Sequence, residues 1–125
     1  MDFSISDRMQ GVLARVRSFL LEHVYPLEAR LHSESFASLL PTLEAKRQLV
    51  REMGFFAPQI PKKHGGMGLE FMDHALLSEE LARTPLGHFV FNCQAPDEGN
   101  MHTLLHWATD DQKDRFFGRG KYARA

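Results

Sequence analysis

The sequence predicts an all-α protein, a bundle of about five to six helices that forms one domain over residues 1–125. Three observations support this fold class. Apolar residues recur at three- and four-residue spacing in several stretches, which is typical of the buried face of amphipathic helices. Prolines and glycines separate these stretches, most clearly between Gly54 and Leu69. The segment Thr109–Gln112 has the pattern of a capping box, which marks a helix amino terminus.

The first predicted helix runs from about Ser6 to Val24, where apolar residues fall on one stripe. Ser4 or Ser6 can cap it, because a serine side chain accepts a hydrogen bond from an amide that has no partner in the helix. Pro26 is expected to bend or end this helix, since proline cannot donate a backbone hydrogen bond.

A serine-rich loop is predicted over residues 32–38, followed by a second helix that begins at Pro41 and ends at Met53. Gly54 is predicted to be the left-handed residue that follows this helix. The next segment, FFAPQIPKKHGGMGL, is predicted to be an irregular connector. APQIP should run extended, because each proline restricts the residue before it, and the glycines permit turns with positive φ. We disfavour a phosphate-cradling loop here, because no strand precedes the glycines and no GK[ST] follows them.

The third helix opens at Phe71 with an apolar band too wide for a single seam, which predicts that it is the buried helix of the bundle. A short fourth helix is predicted over residues 86–92, although HFVFNC alone is equally compatible with a strand. The fifth helix follows Pro96. The sixth begins at Asp110, with Phe116 and Phe117 packed inward.

Composition is ordinary for a globular protein, with 43% hydrophobic and 25% charged residues. The 15 basic and 16 acidic residues give no excess that would favour nucleic acid or an acidic membrane as partner. No apolar run approaches the roughly 18–20 residues needed to span a bilayer, and the start MDFSISDRM lacks a signal-peptide pattern. We therefore expect a cytoplasmic protein with no membrane span and no nucleic-acid partner.

Seven histidines raise the question of a metal site. Glu98, His102 and His106 lie four residues apart and would share a helix face, and His88 could approach from the preceding segment. No HExxH or cysteine-based pattern accompanies them, which favours solvent-facing histidines. Cys93 is expected to be a small buried side chain. The residues alone therefore predict neither a metal site nor a catalytic residue in this chain.

The order of the motifs is more specific than any one of them. A helix is followed by GFF, by PQIPKKHGGMGL and by a helix that ends in EELAR, and FNCQAPDEGNMHTLLHWATDDQKDRFF comes later. This order resembles the amino-terminal domain of the acyl-CoA dehydrogenases. APDEGNM looks most like the branch related to the kinase-fused enzymes, and the resemblance covers Phe3 to about Phe117.

The resemblance implies one part of a three-part flavoenzyme, which also has a middle β-domain and a carboxy-terminal helical bundle. Such enzymes oxidise an acyl-CoA thioester to the 2,3-enoyl-CoA, and the hydride passes to FAD. In most branches the base is a glutamate of the carboxy-terminal bundle. Neither of these other parts is in the sequence, so we expect this chain alone to hold no FAD and to be colourless and inactive.

The same resemblance implies an acyl-CoA substrate, a role in fatty acid metabolism, and an electron-transfer flavoprotein or similar electron acceptor. The complete enzyme is expected to be a dimer or tetramer, and the face that its other domains cover should be apolar. The segment between the fourth and fifth helices would line the acyl-chain end of the pocket, through Phe91, Gln94, Ala95, Gly99 and Asn100. The alternative is a free-standing helical module that binds protein or acyl groups without catalysis.

Overall fold

The computed structural model describes residues 4–116, and within that range the chain is helical and contains no strand. The α-helices of the described range are α1 (Asp7–Phe19), α2 (Glu28–Ser33), α3 (Phe36–Glu52), α4 (Phe71–Leu81), α5 (Gly87–Phe91), α6 (Asp97–Trp107) and α7 (Asp110–Phe116). A π-helical turn at Leu20–Val24 and a 3-10 turn at Tyr25–Leu27 join α1 to α2 without a break. The predicted all-α class is confirmed.

The first helix begins as the sequence predicts, and Ser6 is its cap. The Ser6 hydroxyl accepts a hydrogen bond of 3.2 Å from the amide of Met9. Pro26 lies within the 3-10 turn, so it interrupts the α-helical geometry but does not stop the helical path. None of the described helices is both long enough and apolar enough to cross a membrane.

The second predicted helix begins earlier than expected, at Phe36 and not at Pro41. Ser35 is the cap, and its hydroxyl accepts from the amide of Ser38 over 3.2 Å. Pro41 therefore lies inside α3, where its missing amide removes one helical hydrogen bond. The predicted loop over residues 32–38 was wrong because serine is favoured at helix caps as well as in loops.

The core forms where α1 packs against α4 and α3 packs against α5. Phe91 of α5 is fully buried and meets Phe19 of α1 edge to face, with ring centroids 5.7 Å apart. The other fully buried side chains of the core are mainly leucines and valines, together with Met9, Ile60 and Met101. Burial of one such side chain stabilises the fold by about 1.5–3 kcal/mol.

The prediction that the third helix is buried holds only for its second half. Leu77, Glu80 and Leu81 of α4 are buried, whereas Phe71 is 81% exposed and Met72 is 60% exposed. The second half of the apolar band on α4 therefore packs against the core, whereas the first turn of α4 is exposed to solvent. Phe116 was also expected to pack inward, but it is 41% exposed, because α7 packs mainly against α6 and buries none of its residues. Phe117 lies outside the described residues.

The connector after α3 is a folded turn and not an extended strand. Gly54 is left-handed at φ +73°, as predicted, but Ala57 is left-handed too, at φ +49°. The Ala57 amide donates to the Phe91 carbonyl over 2.9 Å, and the Ala57 carbonyl accepts from Ile60 over 3.0 Å. These buried contacts override the extended preference of a residue before proline. The connector is thereby fixed against the end of α5.

Candidate functional site at the α5–α6 turn

Asn92 ends α5 and turns the chain toward α6. It is left-handed at φ +59° and only 1% exposed, and asparagine tolerates this conformation better than most residues. Its side-chain oxygen accepts from Nη2 of Arg47 over 3.0 Å, and its backbone oxygen accepts from Nε2 of Gln59 over 3.4 Å. Its amide nitrogen lies 3.8 Å from the sulfur of Met101. One buried residue therefore connects α3, the connector and α6.

Arg47 supports this turn from below, and its side chain is almost completely buried. Nη1 donates to the carbonyl oxygen of Phe89 over 2.5 Å, and Nε lies 3.3 Å from Oε1 of Glu44. The guanidinium also lies over the rings of Phe89 and Phe56, at 4.7 and 5.0 Å from their centroids. Burial lowers the pKa of Arg47, but an arginine stays protonated in proteins. The fold therefore keeps a charge beneath the turn.

The five residues that the resemblance assigned to the acyl pocket lie in different environments. Phe91 is fully buried in the core, and Gln94 is half-buried. Ala95, Gly99 and Asn100 are exposed, and a Cβ on Gly99 would meet no atom within 4 Å. The turn thus brings three of the five to an open surface, while Phe91 packs beneath it. Their contact with an acyl chain stays a prediction.

A shallow depression of about 280 Å³ adjoins this surface. Its walls are formed by Asn100, Thr103, Leu104 and Phe116. The lining combines two polar uncharged side chains with a leucine and a phenylalanine, which suits an apolar ligand with few polar contacts. Asn100 is the one residue that this depression shares with the five predicted pocket residues.

Two polar contacts that the sequence analysis missed tie the turn to α4. Nε2 of His74 lies 3.1 Å from Oε1 of Glu98, and the hydroxyl of Ser78 lies 2.8 Å from Nε2 of His88. We grouped Glu98 with His102, but its partner is on another helix. The available signal was the four-residue spacing of His74 and Ser78, which places both on one face of α4.

The histidine and cysteine side chains near this turn have structural roles. Burial is the main cause that lowers the pKa of His88, His74 adds to this effect, and Glu98 opposes it. Cys93 is buried, which confirms the expectation of a small buried side chain. Burial likewise raises the pKa of its thiol to about 12, so the thiol is neutral. Between residues 4 and 116, no group of three or more histidine, cysteine or acidic side chains is arranged to hold a metal ion.

Comparison with known protein families identifies the family to which this chain belongs. The sequence profile described as "Acyl-CoA dehydrogenase, N-terminal domain" matches residues 6–119. The chain belongs to the acyl-CoA dehydrogenase family. The resemblance seen in the order of the sequence motifs is therefore confirmed.

Individual acyl-CoA dehydrogenases agree with this assignment. Acyl-CoA dehydrogenase family member 11 of Gallus gallus is 33% identical over 119 residues, which cover 89% of this chain and 15% of that protein. (R)-Benzylsuccinyl-CoA dehydrogenase of Thauera aromatica is 28% identical, over 95% of this chain and 32% of its own. A solved structure from Mycobacterium abscessus, assigned as an acyl-CoA dehydrogenase, has a TM-score of 0.80 and 29% identity over 93% of this chain and 32% of its own. This chain thus spans a third or less of the length of these relatives.

Proposed function

We propose that this chain is the amino-terminal part of an FAD-dependent acyl-CoA dehydrogenase, which introduces a 2,3 double bond into an acyl-CoA thioester. The chain would supply one wall of the cleft that holds the acyl chain and the flavin. The observation that carries this proposal is the α5–α6 turn, which Arg47 and Asn92 hold from beneath while Ala95 and Gly99 stay open to solvent. A rigid support under an open surface suits a wall against which another group packs.

The residues of the turn fit an acyl chain better than a charged group. Gln94, Ala95, Gly99 and Asn100 carry no charge. Of the two carboxylates between them, Glu98 contacts His74, and Asp97 is half-buried and acts electrostatically on the buried Arg47. Ala95 has a small side chain and Gly99 has none, which leaves room for methylene groups. Phe91 packs beneath these two residues in the core. The amides of Gln94 and Asn100 can each donate one or two hydrogen bonds to a polar part of the ligand.

FAD would supply the hydride acceptor when it is bound in the complete enzyme. Among the described residues, the exposed amide of Asn100 is compatible with the polar edge of a flat ring. The neutral thiol of Cys93 lies beneath this surface and takes no part in proton transfer. We therefore assign to this chain the positioning of the ligand and the exclusion of water, and we assign the catalytic base to polypeptide beyond it.

The wider setting follows from the same proposal. We propose an electron-transfer flavoprotein or a similar acceptor as redox partner, assembly of the complete enzyme as a dimer or tetramer, and a cytoplasmic role in fatty acid metabolism. The isolated chain should be colourless and inactive. The alternative, a free-standing module that binds acyl groups, requires instead that the isolated chain binds acyl-CoA.

A chimera tests the proposal. Residues 4–116 would replace the matching amino-terminal segment of the Thauera aromatica benzylsuccinyl-CoA dehydrogenase, and flavin content and substrate-dependent flavin bleaching would be measured without oxygen. Gly99→Trp should slow bleaching at unchanged flavin content, because the indole fills the proposed acyl surface. Gly11→Trp is the matched control, since Gly11 is also an exposed helical glycine whose Cβ would meet nothing within 4 Å.

The outcomes separate the hypotheses. Selective loss of bleaching in the Gly99 variant supports the proposed wall. Equal bleaching rates in the two glycine variants would contradict it. Flavin absorbance in the purified isolated chain, with bleaching by acyl-CoA, would show that the chain needs no further domain. Saturable binding of acyl-CoA to a colourless isolated chain would favour the free-standing module.

A further inference from the structure

A second cavity, of about 350 Å³, lies between the 3-10 turn Lys62–His64 and the helices α6 and α7. Its wall includes Lys63, His64, His106 and Lys113, with Asp110 as a carboxylate and Leu105 as an apolar surface. None of these residues belongs to the α5–α6 turn. The cavity is therefore a separate feature, independent of the proposed acyl wall.

Among residues 4–116, no ion pair balances the charge of the two lysines at this cavity. Neither Lys63 nor Lys113 forms an ion pair with another described residue. Both lysines line the cavity, and their charges add to burial, the larger cause, in lowering the pKa of His64. Two lysines face one carboxylate, that of Asp110, in the lining. An anion that enters the cavity would meet net positive charge from two sides.

His106 can add a hydrogen-bonding group, Nε2, to the wall of this cavity. Its Nδ1 lies 2.8 Å from the backbone oxygen of His102, which can only accept, so Nδ1 carries the hydrogen. Nε2 is then an acceptor in the neutral ring and a donor in the protonated ring. Through Nε2, His106 can therefore contact either a donor or an acceptor group of a ligand.

We propose that this cavity binds a phosphorylated ligand, with its phosphoryl oxygens between Lys63 and Lys113. A phosphate monoester has a second pKa near 6, so it carries nearly two negative charges at neutral pH, more than a carboxylate does. The volume of 350 Å³ exceeds that of a water molecule, about 30 Å³, roughly tenfold. The cavity thus has room for a pyrophosphate or a small organic phosphate, and Leu105 offers apolar contact to an organic part.

Titration calorimetry of the purified chain with inorganic pyrophosphate at low salt tests this site. Lys63→Gln and Lys113→Gln should each weaken binding about fivefold, the upper range for one partly exposed ion pair. Lys46→Gln is the matched control, because Lys46 lies on α3 and contributes nothing to the cavity wall. Asp110→Asn should strengthen binding about fivefold, because it removes the carboxylate that repels the anion.

The Asp110 variant keeps the test decisive even if a lysine variant unfolds, since a folding defect cannot increase affinity. A gain in that variant together with an unchanged Lys46 variant supports the proposal. No saturable pyrophosphate binding to the wild-type chain would overturn it. The proposal also fails if Lys46→Gln weakens binding as much as Lys113→Gln, because binding would then reflect general attraction to lysines, or if Asp110→Asn leaves affinity unchanged.

Discussion

Replacing Arg47 with methionine is expected to lower the free energy of unfolding by about 3 kcal/mol. Arg47 donates to the carbonyl oxygen of Phe89 and to the side-chain oxygen of Asn92, both at the carboxy-terminal end of α5. A hydrogen bond from a charged donor contributes about 1.5–3 kcal/mol, which gives roughly 3–6 kcal/mol for two such bonds. Burial of methionine carries no cost of desolvating a charge, and this saving offsets part of the loss in the free energy of unfolding.

Arg51→Met is the matched control for this change. Arg51 lies one turn further along α3 and stacks on Phe56, with its guanidinium carbon 3.8 Å from the ring centroid. It makes none of the hydrogen bonds that tie Arg47 to α5. Loss of this partly exposed cation–π contact should reduce the stability by about 0.5–1 kcal/mol. The two variants therefore separate the buried hydrogen bonds from ring stacking.

Urea unfolding followed by far-ultraviolet circular dichroism measures both variants. For a domain of this size, a loss of about 3 kcal/mol also lowers the melting temperature by roughly 12 °C. The slope of the free energy against urea should stay unchanged, because the same surface becomes exposed on unfolding. Equal losses for the two variants, or a loss below about 1 kcal/mol for Arg47→Met, would refute the view that Arg47 fixes the turn.

Two further predictions concern the connector and the histidine at α5. Gly66→Ala should reduce the free energy of unfolding by about 3 kcal/mol, because the new Cβ would overlap the carbonyl oxygen of Ile60. Gly11 faces open space on α1, so Gly11→Ala should increase the free energy of unfolding by about 0.5–1 kcal/mol. If both variants shifted the urea midpoint in the same direction, this packing would be contradicted. Burial lowers the pKa of His88, so the folded state resists its protonation and stability should fall as pH drops below about 6.5, the unfolded value. In the His88→Gln variant, the free energy of unfolding measured in urea should change less between about pH 7.5 and 5.5 than it does in the wild type. His32 is exposed, so His32→Gln should show the pH dependence of the wild type. An unchanged pH dependence in His88→Gln would count against this assignment.

Elements with local chemical signals could be predicted from the sequence. The capping box is present as expected: the Thr109 hydroxyl accepts from the Gln112 amide over 3.3 Å, and the Gln112 side chain accepts from the Thr109 amide over 2.9 Å. Gly54 is left-handed at the end of the second predicted helix, and the fourth helix lies within the predicted range. In these cases the determining interaction lies within four residues of the element.

The predictions that failed depend on contacts between distant segments. Ala57 is left-handed because its amide bonds to Phe91, 34 residues further along the chain. The contact between Glu98 and His74 on α4, which the sequence did not predict, also joins distant segments. Spacing identifies residues that share a face, but it does not identify the element that this face meets. In the sequence, Arg47 lies among Glu44, Lys46 and Arg51, a pattern that predicts a charged, solvated helix face. The support that Arg47 gives to the α5–α6 turn was missed for this reason.

The apolar first turn of α4 shows where reasoning from periodicity reaches its limit. Phe71 and Met72 continue the same apolar band as Leu77 and Leu81, yet the first two are exposed and the last two are buried. Periodicity predicts that an apolar helix face is buried. It does not indicate whether the residues that bury this face belong to the same domain. In a chain that spans a third or less of the length of its relatives, both kinds of contact are expected on one helix. An apolar band that the domain buries only in part is therefore consistent with a domain that packs against further polypeptide, and it agrees with the proposal that this domain forms one wall of a larger cleft.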